Sequence, residues 1–468
     1  MSRPRHVIVI GGGFAGLSCA VALADRGVRV TVLEARRAAG GRASSFTEES
    51  TGEVLDNGQH LFMTCYHETL RFLSVIGSTG LIRFQDDLSI TYLQPGFLSR
   101  LKCPPLPAPA HLMAGLLMLK GPTFADRLAL LKAAPALRRL GRSPLDANLE
   151  TITVTQWLDS LGQTPALKRW LWHPLTLATL NESPDVAPAS LLAAVLRRAF
   201  FTARKDSCLG YATVGLTDLY AEPARRFIEG REGALRTAVV VAGLEVKDAR
   251  VTGVRTREGE IIRADAFVAA VPPQALARIE PGGAGMPLVA GLERFDSSPI
   301  LSVNLWLDRP VSEVASFDFA GVTGGEVQWL FNKERILGGR ARHLAAVISA
   351  ARRLVDLSND DLAAMVWEEI RSCLPQARGA RLTRSMVVRE RTATFSATVA
   401  TEPLRPGPRS CYPNLVLAGD WTVRGLPATI ETAVTSGHQA AEILCDSRAS
   451  SGAPIHAGAG HEREQGAP

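Results

Sequence analysis

No two of the seven cysteines sit at a C-x-x-C spacing: Cys19, Cys65, Cys103, Cys208, Cys373, Cys411 and Cys445 are scattered through 468 residues. An odd, dispersed set argues for a reducing compartment, with neither a disulfide framework nor a metal site. No stretch approaches the roughly 18 uninterrupted apolar residues of a membrane span. No block of one charge stands out either. The net charge of +6 is carried mainly by arginines spread along the chain. No nucleic-acid module is recognisable, and a mild basic excess suits an anionic membrane surface. What remains is a globular composition, 46% hydrophobic and 21% charged, long enough for about two to three domains. Arg3, Arg5 and the apolar run from Val7 imitate a signal peptide, but Gly11, Gly12 and Gly13 interrupt that run, so the reading is rejected.

Those glycines have a better explanation. Val7 to Ile10 reads as a strand, Ala15 to Arg26 as a helix and Val28 to Leu33 as a second strand, the span of a βαβ unit. Gly11-Gly12-Gly13-Phe14-Ala15-Gly16 is a G-x-G-x-x-G at the first strand–helix junction. Gly11 allows the tight turn, Gly13 lets backbone approach a pyrophosphate, and Gly16 lets helix and strand pack closely. Glu34 closes the second strand, where a carboxylate accepts ribose hydroxyls. A dinucleotide site is therefore expected.

Further along, Leu101 to Arg142 begins proline-rich and continues as two leucine-rich segments carrying Lys120, Arg127, Lys132, Arg138 and Arg139. Pro135 is expected to break or kink the second. Thr151 to Arg204 reads as helical. Strands are expected at Val239–Val241, Val251–Thr256, Ile261–Arg263, Ala266–Val271, Ile300–Leu307, Leu344–Ser349, Ser385–Arg391 and Leu415–Ala418, with a hairpin turn at Glu258-Gly259. Helices are expected near Asp360–Cys373 and Ala428–Leu444. The Gly/Ala/Ser-rich tail after Asp446 reads as disordered.

Two more motifs separate FAD from other dinucleotides. Gly40-Gly41-Arg42 with Ser44, preceded by Ala35, Arg36 and Arg37, resembles the R-x-G-G-R-x-x-S signature of the flavin amine oxidase and phytoene desaturase superfamily. Either Arg36 or Arg37 fits its first arginine. Near the other end, Gly419-Asp420-Trp421-Thr422 and Gly425 to Glu431 join a strand to a helix. The superfamily resemblance implies that Asp420 accepts from the FAD ribityl or phosphate region and that the helix start, Thr429 and Ile430, faces the flavin pyrimidine ring. A positive helix end there stabilises reduced flavin. It also implies that Val241 touches the adenine.

Within that superfamily the chain resembles the hydroxysqualene dehydroxylase family, also called squalene-associated FAD-dependent desaturases, over almost its whole length. The resemblance rests on Asp56-Asn57-Gly58-Gln59-His60-Leu61-Phe62-Met63, on Trp172 to Asn181, and on Gly215 to Tyr220 leading to Pro223. It implies an α/β fold in which a Rossmann-like FAD-binding domain (1–75, 215–285 and 408–446) carries an inserted α+β substrate domain (76–214 and 286–407), before a tail at 447–468. It implies FAD contacts along Gly11, Gly13, Phe14, Ala15, Gly16, Glu34, Ala35, Arg36, Gly40, Gly41, Arg42, Gly58, Gln59, His60, Val241, Gly419, Asp420, Thr429 and Ile430. The implied reaction is reductive removal of the hydroxyl of hydroxysqualene, giving squalene for hopanoid synthesis.

Such a reaction needs an acid, a dry pocket and a wall that tolerates an allylic cation. His60 and Asp56 are the acid candidates, against the plainer readings that His60 orients its loop and Asp56 caps backbone groups. Trp172, Trp306, Trp329 and Trp421 are candidates for the pocket wall, against ordinary core packing. His173 and Asn181 are expected to be satisfied buried hydrogen-bonding groups. The substrate resides in the bilayer, so residues 104–142 are expected either to dip into the inner face of the cell membrane through groups such as Leu116, Leu117 and Leu119, or to pack on the substrate domain. Other squalene-forming enzymes and a reductase are the expected partners of a cytoplasmic, peripheral enzyme. A carotenoid-type desaturase, an amine oxidase and a non-catalytic FAD scaffold are the competing readings.

Overall fold

The computed structural model describes residues 4–141, 146–279, 291–338 and 342–446. The tail expected from 447 onward lies outside the described residues, as does Arg142. Strand β1 (His6–Ile10), helix α1 (Phe14–Asp25) and strand β2 (Arg29–Leu33) form the expected βαβ unit, with β1 and β2 parallel. The sheet continues beyond β1 with Ala266–Ala269 and Leu415–Leu417, and beyond β2 with Ala234–Arg236. Every pairing in it is parallel. A parallel sheet is covered on both faces, which is why Val7 to Ile10 of β1 is an unbroken apolar run. Val7 and Val9 face α1 and the C-terminal helix Ile430–Cys445, whereas Ile8 and Ile10 join the larger core on the other side. The two helices pack in close contact: a Cβ on Gly437 would lie 2.2 Å from Ser18 Oγ and 2.3 Å from Ala15 O.

A second sheet has seven strands in the order Leu382–Phe395, Ser297–Leu307, His343–Ile348, Trp329–Asn332, Phe319–Val322, Ser89–Gln94 and Phe97–Lys102. Side chains alternate between its faces. Leu301, Val303 and Leu305 pack against Val366 and Ile370 of the helix Asn359–Cys373. The opposite face carries Tyr92, Phe319, Trp329 and Phe331 into the same core as Ile8 and Ile10. Between them in sequence lie β3 (Ser45–Thr47), β4 (Val54–Asp56), β5 (Leu61–Met63), α2 (His67–Val75), α3 (Ala110–Met118) and α4 (Phe124–Leu140). The region 154–201 is mostly helical, as expected, in Val154–Ser160, 165–180 and 189–201, with wider π turns at Lys168–Trp172 and Arg197–Phe201.

Two expectations are corrected. Pro135 does not end α4, which runs through it to Leu140. The missing N–H costs one intrahelical bond, but the buried face of Ala129, Leu130, Ala133, Leu137 and Leu140 holds the helix to the core. The strand expected from Val239 starts at Val241, because Val239 N–H bonds Glu34 O instead. The hairpin is found where expected, with Gly259 at φ +89° between Arg250–Thr256 and Ile261–Arg263.

The return loop after Leu417 is fixed by a charge pair that sequence reading missed. Arg405 and Glu402 are buried, with Arg405 Nη1 at 2.9 Å from both carboxylate oxygens. The same guanidinium donates to the carbonyls of Asp420 (2.7 Å), Leu426 (2.8 Å), Trp421 (3.2 Å) and Val423. Glu402 also accepts from Gly425 N–H at 2.8 Å. Replacing Arg405 by Met leaves a buried carboxylate without its partner, which costs about 3–5 kcal/mol. Chemical denaturation of Arg405→Met is expected to show a loss of that size, and an unchanged midpoint would refute the role.

Candidate active site

The first glycine loop is built as its sequence requires. Gly11 has φ +107°, and a Cβ there would lie 2.4 Å from Ala270 O. A Cβ on Gly16 would lie 1.9 Å from Gly11 O, so helix and strand could not approach as they do. Gly13 differs: the nearest atom to its added Cβ is Gly41 Cα, at 3.8 Å. Gly13 is the N-cap of α1 and brings no capping side chain. The first N–H groups of α1, on Phe14 and Ala15, are thus left for an anion.

The second glycine loop folds back over the first. Gly40 N–H donates to Gly12 O at 2.8 Å, and Arg36 Nη1 donates to Gly41 O at 2.8 Å. Arg36, not Arg37, therefore makes the contact that holds this loop. Gly40 and Gly41 have φ +122° and +55°. The Glu34 carboxylate accepts from Gly12 N–H at 2.7 Å and from Arg36 N–H at 2.8 Å, with Ala35 exposed between them. Open backbone, an uncapped helix start and a carboxylate at the end of β2 fit an adenine dinucleotide.

Arg42 joins this end to the return loop, donating to Asp420 Oδ1 at 3.0 Å and to Ala393 O at 2.9 Å. Gly419, at φ +145°, donates its N–H to Ser436 Oγ, and Thr429 caps the C-terminal helix by accepting from Thr432 N–H. Glu431 turns away to cap α2, accepting from the N–H groups of Glu68 and Thr69 and from Thr69 Oγ1. Val241 is buried at the start of its strand.

The loop from Asp56 to His60 is held from several sides. Asp56 accepts from Ser45 Oγ at 2.7 Å and Leu216 N–H at 3.0 Å. Lys333 Nζ lies 3.5 Å from its other oxygen and 2.7 Å from Gln59 Oε1. His60 Nδ1 is 2.8 Å from Gly58 O, so this nitrogen carries the proton and donates. Burial pulls the His60 pKa below its ordinary value, outweighing the Gly58 carbonyl and Asp56, which raise it. The imidazole is therefore neutral at neutral pH. Lys333 was not singled out from sequence, because nothing in its spacing ties it to a loop more than 270 residues earlier.

Of the four tryptophans, Trp172 and Trp421 are buried, with their indole N–H groups donating to Gln163 Oε1 and Val271 O. Trp306 stacks on His343 at 4.3 Å and donates to Glu53 at 2.8 Å, while Trp329 packs edge-on to Phe319. Both keep accessible surface. Asn181 is fully used, donating to Ser298 O and Thr394 Oγ1 and accepting from Ala350 N–H. His173 corrects the expectation: its Nε2 is buried without a hydrogen-bond partner.

A dinucleotide-binding sheet of this build, closed by a second glycine loop and a distant return loop, defines a flavoprotein oxidoreductase. The chain belongs to the flavin containing amine oxidoreductase family, which it matches over residues 14–445, and FAD is its cofactor. It is 32% identical to the hydroxysqualene dehydroxylase of Rhodopseudomonas palustris, over 95% of this chain and 99% of that protein. It is 30% identical to that of Sinorhizobium fredii, over 94% and 98%. It is 26% identical to the 15-cis-phytoene desaturase of Synechococcus elongatus, over 97% and 99%. Among solved structures, cyclohexylamine oxidase from Brevibacterium oxydans has the same fold, with a TM-score of 0.69 at 18% identity, covering 94% of this chain and 99% of that one.

The two glycines should separate by experiment. Gly13→Ala is expected to leave the melting temperature of the apoprotein unchanged and to weaken FAD at least about tenfold, ~1.4 kcal/mol. Gly16→Ala is expected to lower the melting temperature itself. Equal FAD affinity for Gly13→Ala, measured by flavin fluorescence, would remove Gly13 from the cradle.

Proposed function

We propose that the protein removes the hydroxyl of hydroxysqualene to give squalene and water. The observation that carries this reading is the end-to-end likeness to hydroxysqualene dehydroxylases, together with an inner sheet face lined by Tyr92, Phe319, Trp329 and Phe331. Reduced FAD, when bound, supplies the hydride. The chain's own contribution is to hold the dinucleotide along Gly11–Arg42 and the Gly419–Ile430 return, to exclude water, and to deliver a proton to the departing oxygen. An aromatic wall suits an allylic cation because the ring faces are electron-rich. Asp56, held by Ser45 and Leu216, is the group offered as the acid, whereas His60, neutral and with its Nδ1 proton on Gly58 O, orients the loop.

Anaerobic mixing of the reduced protein with hydroxysqualene is expected to reoxidise the flavin with formation of squalene. Bleaching of the oxidised protein by phytoene instead would favour a desaturase. Asp56→Asn is expected to slow single turnover by about 100-fold, the scale of lost acid–base help, whereas His60→Asn is expected to bind FAD normally and to keep most of the rate. Equal losses in the two variants would make His60 the acid instead.

The same reading requires contact with the bilayer. Leu116 and Leu119, expected to insert, are buried in the core, and Leu117 is partly covered. The exposed apolar groups are others: Met118 is 74% and Phe124 80% exposed, followed by Leu128 and Leu131. Phe124, Leu128 and Leu131 share one face of α4, with Lys120 and Lys132 exposed nearby in sequence. Among the described residues no helix is long and apolar enough to cross a membrane. We propose that this exposed apolar face rests on the anionic inner surface of the cell membrane. Burying one such side chain contributes about 1.5–3 kcal/mol. Phe124→Asp with Leu128→Asp should release the protein from anionic vesicles in a flotation assay, and unaltered partitioning would refute the contact.

A further inference from the structure

Lysine is seldom buried unless it is paired, yet the side chain of Lys333 is only 2% exposed. It opens the short helix Lys333–Leu337, directly after the strand Trp329–Asn332. Its Nζ donates to Gln59 Oε1 at 2.7 Å and lies 3.5 Å from Asp56 Oδ2. Gln59 Nε2 is 3.4 Å from that same oxygen, so lysine, amide and carboxylate close a triangle. These are groups of the loop that ends in His60. An ammonium has three donors, and the triangle uses two.

Lys333 also lines a pocket of ≈ 410 Å³ with Glu53, Asp218, Glu334 and His343, and no residue assigned to the flavin lines it. A lysine serving only as a fixed counter-charge has no need of such an opening. Burial lowers the Lys333 pKa from its ordinary value, with Asp56 and Glu53 opposing the shift. His343, which burial and then Lys333 push down to about 3, is a neutral imidazole and adds no competing positive charge. The charged and titratable groups facing Lys333 are thus Asp56 and Glu53 from the β4 region, Glu334 from its own helix, Asp218 and His343.

We propose that Lys333 is a positioning residue that recharges Asp56 with protons taken from this pocket. The inference rests on the dehydroxylation proposed above, in which each hydroxyl leaving as water takes up one proton. An ammonium N–H bond of Lys333 breaks as an O–H bond forms on Asp56 Oδ2. The neutral amine then regains a proton from pocket water. Nothing is oxidised or reduced, and the net transfer is one proton from solvent to the loop. The protonated lysine is the working form, so supply declines as pH rises through its folded pKa.

Lys333→Arg tests this, because arginine keeps the charge but holds its protons at any working pH. It is expected to bind FAD within about twofold of the unmodified protein, and its single-turnover rate with hydroxysqualene should drop more than tenfold. The unmodified protein is expected to lose rate at alkaline pH, and Lys333→Arg is expected to lack that alkaline limb. Lys333→Ala should regain rate with added ethylamine, and calorimetry on its FAD-free form should show ethylamine binding that the unmodified apoprotein lacks. A Lys333→Arg protein with an unchanged rate and pH profile overturns the inference, as does absence of ethylamine binding to Lys333→Ala. If the unmodified protein itself leaves hydroxysqualene untouched, the functional reading fails instead, and the substrate-free calorimetry still decides whether the pocket reaches position 333.

Discussion

The Glu34 carboxylate is the contact on which the nucleotide half of the molecule depends. One oxygen takes the N–H of Gly12 and the other the N–H of Arg36. It thereby fixes the turn that follows β1 and starts the loop that follows β2. Arg36 then reaches Gly41, Gly40 reaches back to Gly12, and the two glycine loops lie in contact. Each carboxylate oxygen has two lone-pair sites, so holding the backbone leaves capacity for ribose hydroxyls. A single acid thus builds the site and remains able to serve it. The two loops meet at Gly13 and Gly41, where a Cβ on Gly41 would lie 3.1 Å from Gly13 Cα.

The far wall obeys a different constraint. The return loop after Leu417 is irregular, and its carbonyls must find donors inside the protein. Arg405 supplies them to four residues of that loop, and Glu402 neutralises it. This loop carries Asp420, which binds Arg42 from the glycine end. Two parts of the chain nearly 400 residues apart are therefore joined through two ion pairs and the carbonyls between them, Glu402 to Arg405 to the loop and Asp420 to Arg42.

Local signals made much of this legible from sequence. The β1–α1–β2 unit, the glycine at each turn and Glu34 at a strand end all obey rules that act over a few residues, and strands such as Ile261–Arg263 were found to the residue. What was missed is non-local or two-sided. Arg405 and Lys333 look like surface charges in sequence, and only the fold shows that each is enclosed by acceptors from distant segments. Leu116 and Met118 are indistinguishable by composition, yet one is buried and the other exposed, because α3 turns one side to Leu101 and Cys103. Of the break or kink that Pro135 announced, packing rules out the break. The tryptophans were ambiguous for the same reason: burial decides between core and wall, and burial is a property of the assembled sheet.

The proposed chemistry makes two demands that conflict in one cavity. A cation must be kept from water, and a proton must be brought from water. The structure separates the means. The aromatic face of Tyr92, Phe319, Trp329 and Phe331 belongs to the large apolar core, and none of these four lines the pocket beside Lys333. The loop from Asp56 to His60 has its acid tied to the lysine and its imidazole kept neutral by burial. A charged imidazolium beside a developing cation would raise its energy by direct repulsion. Holding His60 neutral and keeping positive charge on the pocket side, paired with Asp56, avoids that repulsion while leaving a proton within one transfer of the loop.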